Sequence, residues 1–253
     1  AGDALPATLA ARIVATADKR GTIAGIFAIG QAPTGSADPY ALRRQAIGIL
    51  AMLLDGGVRI DLDAAIAEAL SGYGDVIPDL DAQTVAVSVR EFFDTRLAVI
   101  LKDQGYAHDE VLAVQAVASG DVYDTARRVA AVKAFRATEG GADLAIAFKR
   151  AANLSDAAAG TDLDASLLTD AERALEAAID ACGAPALGGP GGADPDYAAA
   201  LDTIARLRGP VDEFFEKVLV MDPDPEVRRN RLALLNRLVG LFDRFADFSK
   251  LAG

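Results

Sequence analysis

The run FKRAANL, residues 148–154, gathers the side chains of this sequence most suited to recognition chemistry: Lys149, Arg150 and Asn153. At the end of a helix these three fall within one turn, so two cations and an amide could meet phosphate and base edges together. The same spacing would also let Lys149 and Arg150 complement the negative end of the helix dipole, a contribution of about 0.3–1 kcal/mol. Spacing alone leaves both readings open. RRNRLALLNRL, residues 228–238, poses the same question. There Leu232, Leu235, Leu238 and Val239 form the core stripe, which leaves Arg228, Arg229 and Arg231 to solvent, to acidic neighbours or to RNA. A third basic group, Arg127, Arg128, Lys133 and Arg136, lies just upstream of the first run.

Other chemistries find little support. Asp18 is a lone carboxylate without nearby histidines and cannot build a hydrolytic metal site. His108 is the only histidine and falls in a polar turn, so neither a Ser-His-Asp triad nor a histidine-metal constellation is available. GGPGG lacks the Lys-Ser/Thr of a phosphate-cradling loop and reads as a tether. MDPDPE, residues 221–226, has carboxylates at oxygen-ligand spacing, but its prolines point to a helix N-terminus rather than a calcium loop. The single Cys182 cannot form an internal disulfide, which fits a reducing compartment.

Charge is segregated. The 253 residues carry a net charge of −12, yet residues 125–150 hold six basic and two acidic side chains, +4 against −16 elsewhere. An acidic chain of this kind does not coat nucleic acid through a uniformly basic surface, but it can offer a local patch. No apolar run reaches the roughly 20 residues of a membrane span, and residues 1–15 lack the pattern of a signal peptide. We therefore expect no membrane partner and a cytoplasmic location. The sequence opens AGDALPATLA, without Met, as though cut from something longer.

The elements that must position these side chains read as helices throughout. Ala, Leu, Val and Ile dominate a 52% hydrophobic composition with 6% aromatics, which favours helices packed through small aliphatic side chains. A first helix is predicted over 6–30, with Leu9, Ile13, Val14 and Ala17 at helical spacing and Gly21 and Gly25 as weak points. Asp38-Pro39 is predicted to cap and start the next helix, whose buried stripe is Leu42, Ala46, Ile49, Leu50 and Leu53. A short helix ends at Gly72, and DVIPDLDAQ marks a domain boundary. A long helix over 84–102 carries Arg90 and Asp94 at i, i+4. Helices follow near 109–118, 121–137 and 143–153. TDAE, residues 169–172, is a capping box that opens a helix ending at Cys182-Gly183. The Gly/Pro-rich 183–195 stretch reads as a loop or linker, and helices near 196–208, 210–221 and 225–246 complete an all-α chain.

ADKRGTIAGIFAIGQAPTGSADPYALRRQAIGIL closely resembles the beta subunit of bacterial heterotetrameric glycyl-tRNA synthetase. FFDTRLAVILKDQGYAHDEVLAV, ARRVAAVKAF and LAIAFKRAANL resemble the family's next block, and LRGPVDEFFEKVLVMDPDPEVRRNRLALLNRLVGLFDRFADFSKL resembles its C-terminal end. The family's beta subunit is much longer, so the resemblance implies its C-terminal part: residues 1–80 as the end of an HD-like helical domain, residues 81–253 as a helical-bundle anticodon-binding domain. It implies glycine tRNA, the alpha subunit and the rest of the beta subunit as partners. Glycine activation with ATP and magnesium would belong to the alpha subunit, leaving this chain non-catalytic and without a cofactor. Asp18 matches the last acidic position of the HD-like pattern, but ADKRGT departs from the family's run at Arg20 and Gly21.

For RNA contact the resemblance points first to Lys149, Arg150 and Asn153, then to Arg127, Arg128, Lys133 and Arg136, then to Arg228, Arg229 and Arg231. Glycine anticodons share two cytosines, and loop bases are read by stacking and by hydrogen bonds to their pairing edges. Arg43 and Arg44 match the family's Leu-Arg-Arg segment. Such a pair can grip RNA backbone or hold domains together through acidic side chains, and a carboxylate partner is expected for an arginine set in an acidic chain. A helical scaffold that binds protein and not RNA is the alternative.

Overall fold

Short polar side chains set where the helices start. Thr8, Asp61, Asp81, Thr138, Thr169, Asp196 and Asp224 each accept a backbone N–H from the first turn that follows, satisfying donors that a helix leaves unpaired, for about 1 kcal/mol each. The computed structural model describes residues 5–74, 76–118, 120–183 and 194–251. Among them are α1 (Leu9–Ala28), α2 (Leu42–Gly56), α3 (Leu62–Ser71), α4 (Ala82–Asp103), α5 (His108–Gln115), α6 (Val122–Arg136), α7 (Glu139–Leu154), α8 (Asp170–Cys182), α9 (Tyr197–Ala205), α10 (Arg208–Lys217) and α11 (Pro225–Asp243). Three short 3₁₀ turns and two isolated β-bridges complete the described residues, which contain no strand. The fold is all-α. Most of the Gly/Pro-rich 183–195 stretch lies outside the described residues.

The chain forms two compact units. Among the described residues, one comprises 5–105 and 120–126, the other 106–118, 127–183 and 194–251. The expected boundary after residue 80 would part α4 from the helices it packs on. In the structure α4 packs against α1, α2 and α3, with Val89, Phe93, Leu97 and Leu101 buried, so it belongs with the first unit.

In the first unit the predicted stripe of α2 is buried in full: Leu42, Ala46, Ile49, Leu50 and Leu53 are each no more than 2% exposed. Its start is built differently from the expectation. Pro39 lies outside the helix, Ala41 takes a left-handed φ of 54°, and Asp38 reaches forward to accept the N–H groups of Leu42 (2.8 Å) and Arg43 (3.0 Å). α1 runs unbroken through Gly21 and Gly25, beside which Tyr73 packs. The Tyr73 hydroxyl donates to the Gly21 carbonyl at 3.0 Å, and a Cβ on Gly25 would meet that hydroxyl at 2.7 Å. The buried face of α1 is Thr16, Ile23, Ala24 and Phe27. Leu9, Ile13 and Val14, which share the helical spacing read from the sequence, are 59, 54 and 68% exposed. Arg59 anchors the segment before α3 by donating to buried Asp121 (2.9 Å) and Asp124 (3.0 Å).

The second unit concentrates the few aromatics. Phe148 of α7 meets Phe242 of α11 at 4.6 Å and Phe248 at 5.5 Å between ring centroids, and Phe135 meets Phe248 at 6.0 Å. Burying each such side chain contributes about 1.5–3 kcal/mol. α8 opens with the predicted capping box: the Thr169 N–H donates to Glu172 at 2.6 Å, and the Glu172 N–H faces Thr169 Oγ1 at 3.5 Å. Asp224 and Pro225 start α11 as the sequence indicates. Cys182, at the end of α8, is half-buried with Sγ 3.7 Å from the Thr203 carbonyl, and burial pushes its thiol pKa up, Arg206 opposing.

Candidate nucleic-acid interface

Three contacts set the placement of α7. Thr138 Oγ1 donates to the Phe135 carbonyl at 2.7 Å and accepts the Gly141 N–H at 3.0 Å, joining the end of α6 to the first turn of α7. Gly141 makes this possible, since a Cβ there would lie 2.0 Å from the Phe135 carbonyl oxygen. Phe148 then locks the inner face of α7 into the aromatic core. The outer face carries Ala142, Ile146, Lys149, Arg150 and Asn153, all exposed and spaced i, i+4, i+7, i+8, i+11.

On this face the three leading candidates come together. Lys149 and Arg150 have no ion-pair partner among the described residues, and the Arg150 guanidinium sits over the Phe215 ring of α10, 4.3 Å from its centroid. Phe215 is half-buried beside fully buried Phe214. Arg208 of α10 pairs with Asp143 of α7, tying the two helices together.

The other nominated cations are placed apart from this face or engaged in packing. Arg127 pairs with Asp194 (3.1 Å) and donates to the Pro195 carbonyl, and buried Arg128 donates to the Arg244 carbonyl at 3.0 Å. Arg136 bridges Asp109 (3.0 Å) and Glu110 (3.4 Å). Lys133 is exposed with its ammonium 5.1 Å from the Tyr106 ring. Arg228 donates to the Asp222 carbonyl and Arg229 to that of Ala159.

Arg231 is 8% exposed. Its Nε donates to Glu172 at 2.7 Å, and its Nη1 to Asp222 at 2.6 Å and the Leu219 carbonyl at 2.8 Å. Burial opposes ionisation of Glu172, but hydrogen bonds from Thr169 and the charge of Arg231 outweigh it and hold the carboxyl below its ordinary pKa. Arg231 is therefore an internal anchor and is not available to RNA.

Arg43 also serves structure, though not through the expected carboxylate. Its guanidinium donates to the carbonyls of Gly35 (2.7 Å) and Ala37 (3.4 Å), pinning the loop before α2, while its backbone N–H donates to the Asp38 carboxylate. Arg44 is exposed. Asp18 and His108 are exposed too, His108 as the first residue of α5. Among the described residues no three His, Cys, Asp or Glu side chains converge to hold a metal ion. No helix there is long and apolar enough to cross a membrane.

The described residues thus form an all-α chain with an exposed cation–amide face on α7, and comparison with known proteins gives the chain a family. The family model described as "Glycyl-tRNA synthetase beta subunit" matches residues 1–116. Over all of its length the chain is 45% identical to the glycine–tRNA ligase beta subunit of Acinetobacter baylyi, and 42% identical to that of Leptothrix cholodnii. A third relative, from Desulforamulus reducens, is 42% identical over 99% of the chain. The chain belongs to the glycyl-tRNA synthetase beta-subunit family. It spans 35–37% of the length of these curated relatives.

Proposed function

We propose that this chain is the tRNA-binding, non-catalytic C-terminal part of a cytoplasmic glycine–tRNA ligase beta subunit. In this reading the second unit is the anticodon-binding domain and the first the end of an HD-like domain. The family model's match ends at residue 116 while the relatives align throughout, which supports a chain of two differently built parts. The chain grips the anticodon region of glycine tRNA and positions it for the alpha subunit, where ATP and magnesium drive aminoacylation.

One observation carries the proposal. Lys149, Arg150 and Asn153 share the outer face of α7, and both cations lack a carboxylate partner there. Lys149 then meets phosphate as a point charge, and Asn153 offers an amide to a base edge. The test is binding of glycine tRNA, and of the same tRNA with both anticodon cytosines changed, across a salt series. Selective loss with the altered anticodon is the expected result. Replacing Lys149 by Ala should flatten the slope of log K against log salt by about 0.7–0.9. Binding unaffected by either change would overturn this assignment.

A second reading, a scaffold for subunit assembly, draws on the first unit. Leu9, Ile13 and Val14 face solvent, and Ile13 borders an apolar groove of about 240 Å³ with Met52, Leu53, Val58 and Ile60. Such a face fits the rest of the beta-subunit polypeptide. Tight association with that missing portion, with no tRNA binding by this chain, would favour the scaffold.

A further inference from the structure

The described residues place arginine near an aromatic ring in several settings, and only one leaves the guanidinium open to a ligand. Arg96 sits over Phe92, but its Nη1 is turned back to the Phe92 carbonyl of the same helix. Arg127 and Arg128 flank Tyr197, and both donate to backbone carbonyls. Arg150 over Phe215 has an exposed side chain and neither a hydrogen-bond nor an ion-pair partner among the described residues.

The support beneath it is fixed. Phe215 is braced edge-on by Phe214 at 5.3 Å, and Phe214 is fully buried. α10 packs on α7 and α8, and the Arg208–Asp143 pair ties α10 to α7. Phe215 thus holds one side of the guanidinium, and the other side meets solvent. A planar cation seated on an aromatic ring presents a flat, polarizable surface with in-plane donors, the kind of surface on which unpaired bases stack. Ile146, 63% exposed and one turn earlier on α7, extends that surface with apolar contact, and Asn153 follows one turn after Ile146's neighbour Lys149 on the same face.

We propose that Arg150 and Phe215 form a stacking platform for one unpaired nucleobase, with Asn153 placed to meet the pairing edge of that base. This deepens the tRNA-binding reading and rests on it: Lys149 supplies charge to the phosphate chain, whereas Arg150 acts through its plane. Phe215, which the sequence reading did not select, becomes a recognition residue.

Charge and plane can be separated experimentally. Arg150→Lys keeps the charge and removes the plane; Phe215→Leu keeps apolar filling and removes the ring. Each variant of this chain is titrated with glycine tRNA, with a single-stranded cytidine hexanucleotide bearing one 2-aminopurine, and with an abasic phosphodiester of equal length. Both variants should weaken binding to the base-bearing ligands by about 5- to 150-fold, the range of one base stack, with loss of the 2-aminopurine quenching that wild type produces. Binding to the abasic chain, and the salt slope of Arg150→Lys, should stay as in wild type. Base-bearing ligands bound and quenched by both variants as by wild type would overturn the platform and leave the tRNA-binding reading intact. Failure of wild type to bind tRNA and the hexanucleotide alike would overturn both. Arg150 is a surface residue, so its lysine variant reports even where Phe215→Leu proves poorly folded.

Discussion

The junction of α8 with α11 and the outer face of α7 use arginine in opposite ways. At the junction Arg231 is buried among Glu172, Asp222 and the Leu219 carbonyl, and each of its donors that matters points inward. On α7 the guanidinium of Arg150 has a ring beneath it and solvent above. Both arginines sit in helices one residue or two from the core stripe. The supply of carboxylates separates them: α8 delivers Glu172, fixed by its own capping box, to the side of α11 where Arg231 emerges. Nothing comparable reaches Arg150: of the two acids on α7, Glu139 lies in the first turn, eleven residues away, and Asp143 is engaged by Arg208. In an acidic protein, a cation stays available for a ligand only where neighbouring acids are otherwise paired.

The sharpest way to break this contrast is to remove the inner partner. Glu172→Ala deletes a helix cap and leaves a buried guanidinium short of a charge, so unfolding free energy in urea should fall by about 3–5 kcal/mol. The tRNA affinity of the folded fraction should be unchanged; parallel loss of affinity would join the two regions functionally. Gly141→Ala should come next, at about 1–3 kcal/mol, because the new Cβ drives α7 off the Phe135 carbonyl. Here RNA binding should weaken with stability, since the outer face moves with the helix.

Acid provides a milder version of the first break. The Glu172 carboxyl has a folded-state pKa held below its ordinary value, which for a free glutamate is about 4.3. Its contribution is therefore complete above that value and is lost as pH falls through the lower folded-state pKa. Urea midpoints of wild type and Glu172→Gln should converge over that acidic window and differ at neutral pH. The smallest change is expected from Arg43→Gln, which gives up the Gly35 and Ala37 carbonyls at the surface for about 1 kcal/mol. A thermal melt displaced by only a few degrees, with salt-dependent RNA binding retained, would match its role as a loop pin.

Local order was readable from the sequence, and long-range order was not. The α2 stripe, the Thr169–Glu172 box, the Asp224-Pro225 start and the Arg90–Asp94 pair, at 3.0 Å, all depend on residues within a few turns. In α1 tertiary contact decides: apolar spacing identifies a face, but the chain buries Ile23, Ala24 and Phe27 and leaves Leu9, Ile13 and Val14 outside. Asp38 was read as a cap in the right place, yet a left-handed Ala41 delays the helix by a turn, an option propensity does not favour. Arg231 meets Glu172 across 59 positions, beyond any helical period. Phe215 was not singled out by DEFF, because adjacent phenylalanines of one helix can both be buried, as Phe92 and Phe93 of α4 are. Only the packing of α10 leaves Phe215 half-buried beside buried Phe214.

Cys182 gives the second unit a clock. It is the sole cysteine of the chain, set at the end of α8 with its sulfur against the Thr203 carbonyl of α9, where burial disfavours the thiolate. A maleimide or disulfide reagent will therefore label this thiol more slowly than an unhindered cysteine. Comparing labelling half-times with and without bound RNA would convert the grip of a distant ligand into a rate at one sulfur atom, with no engineered probe.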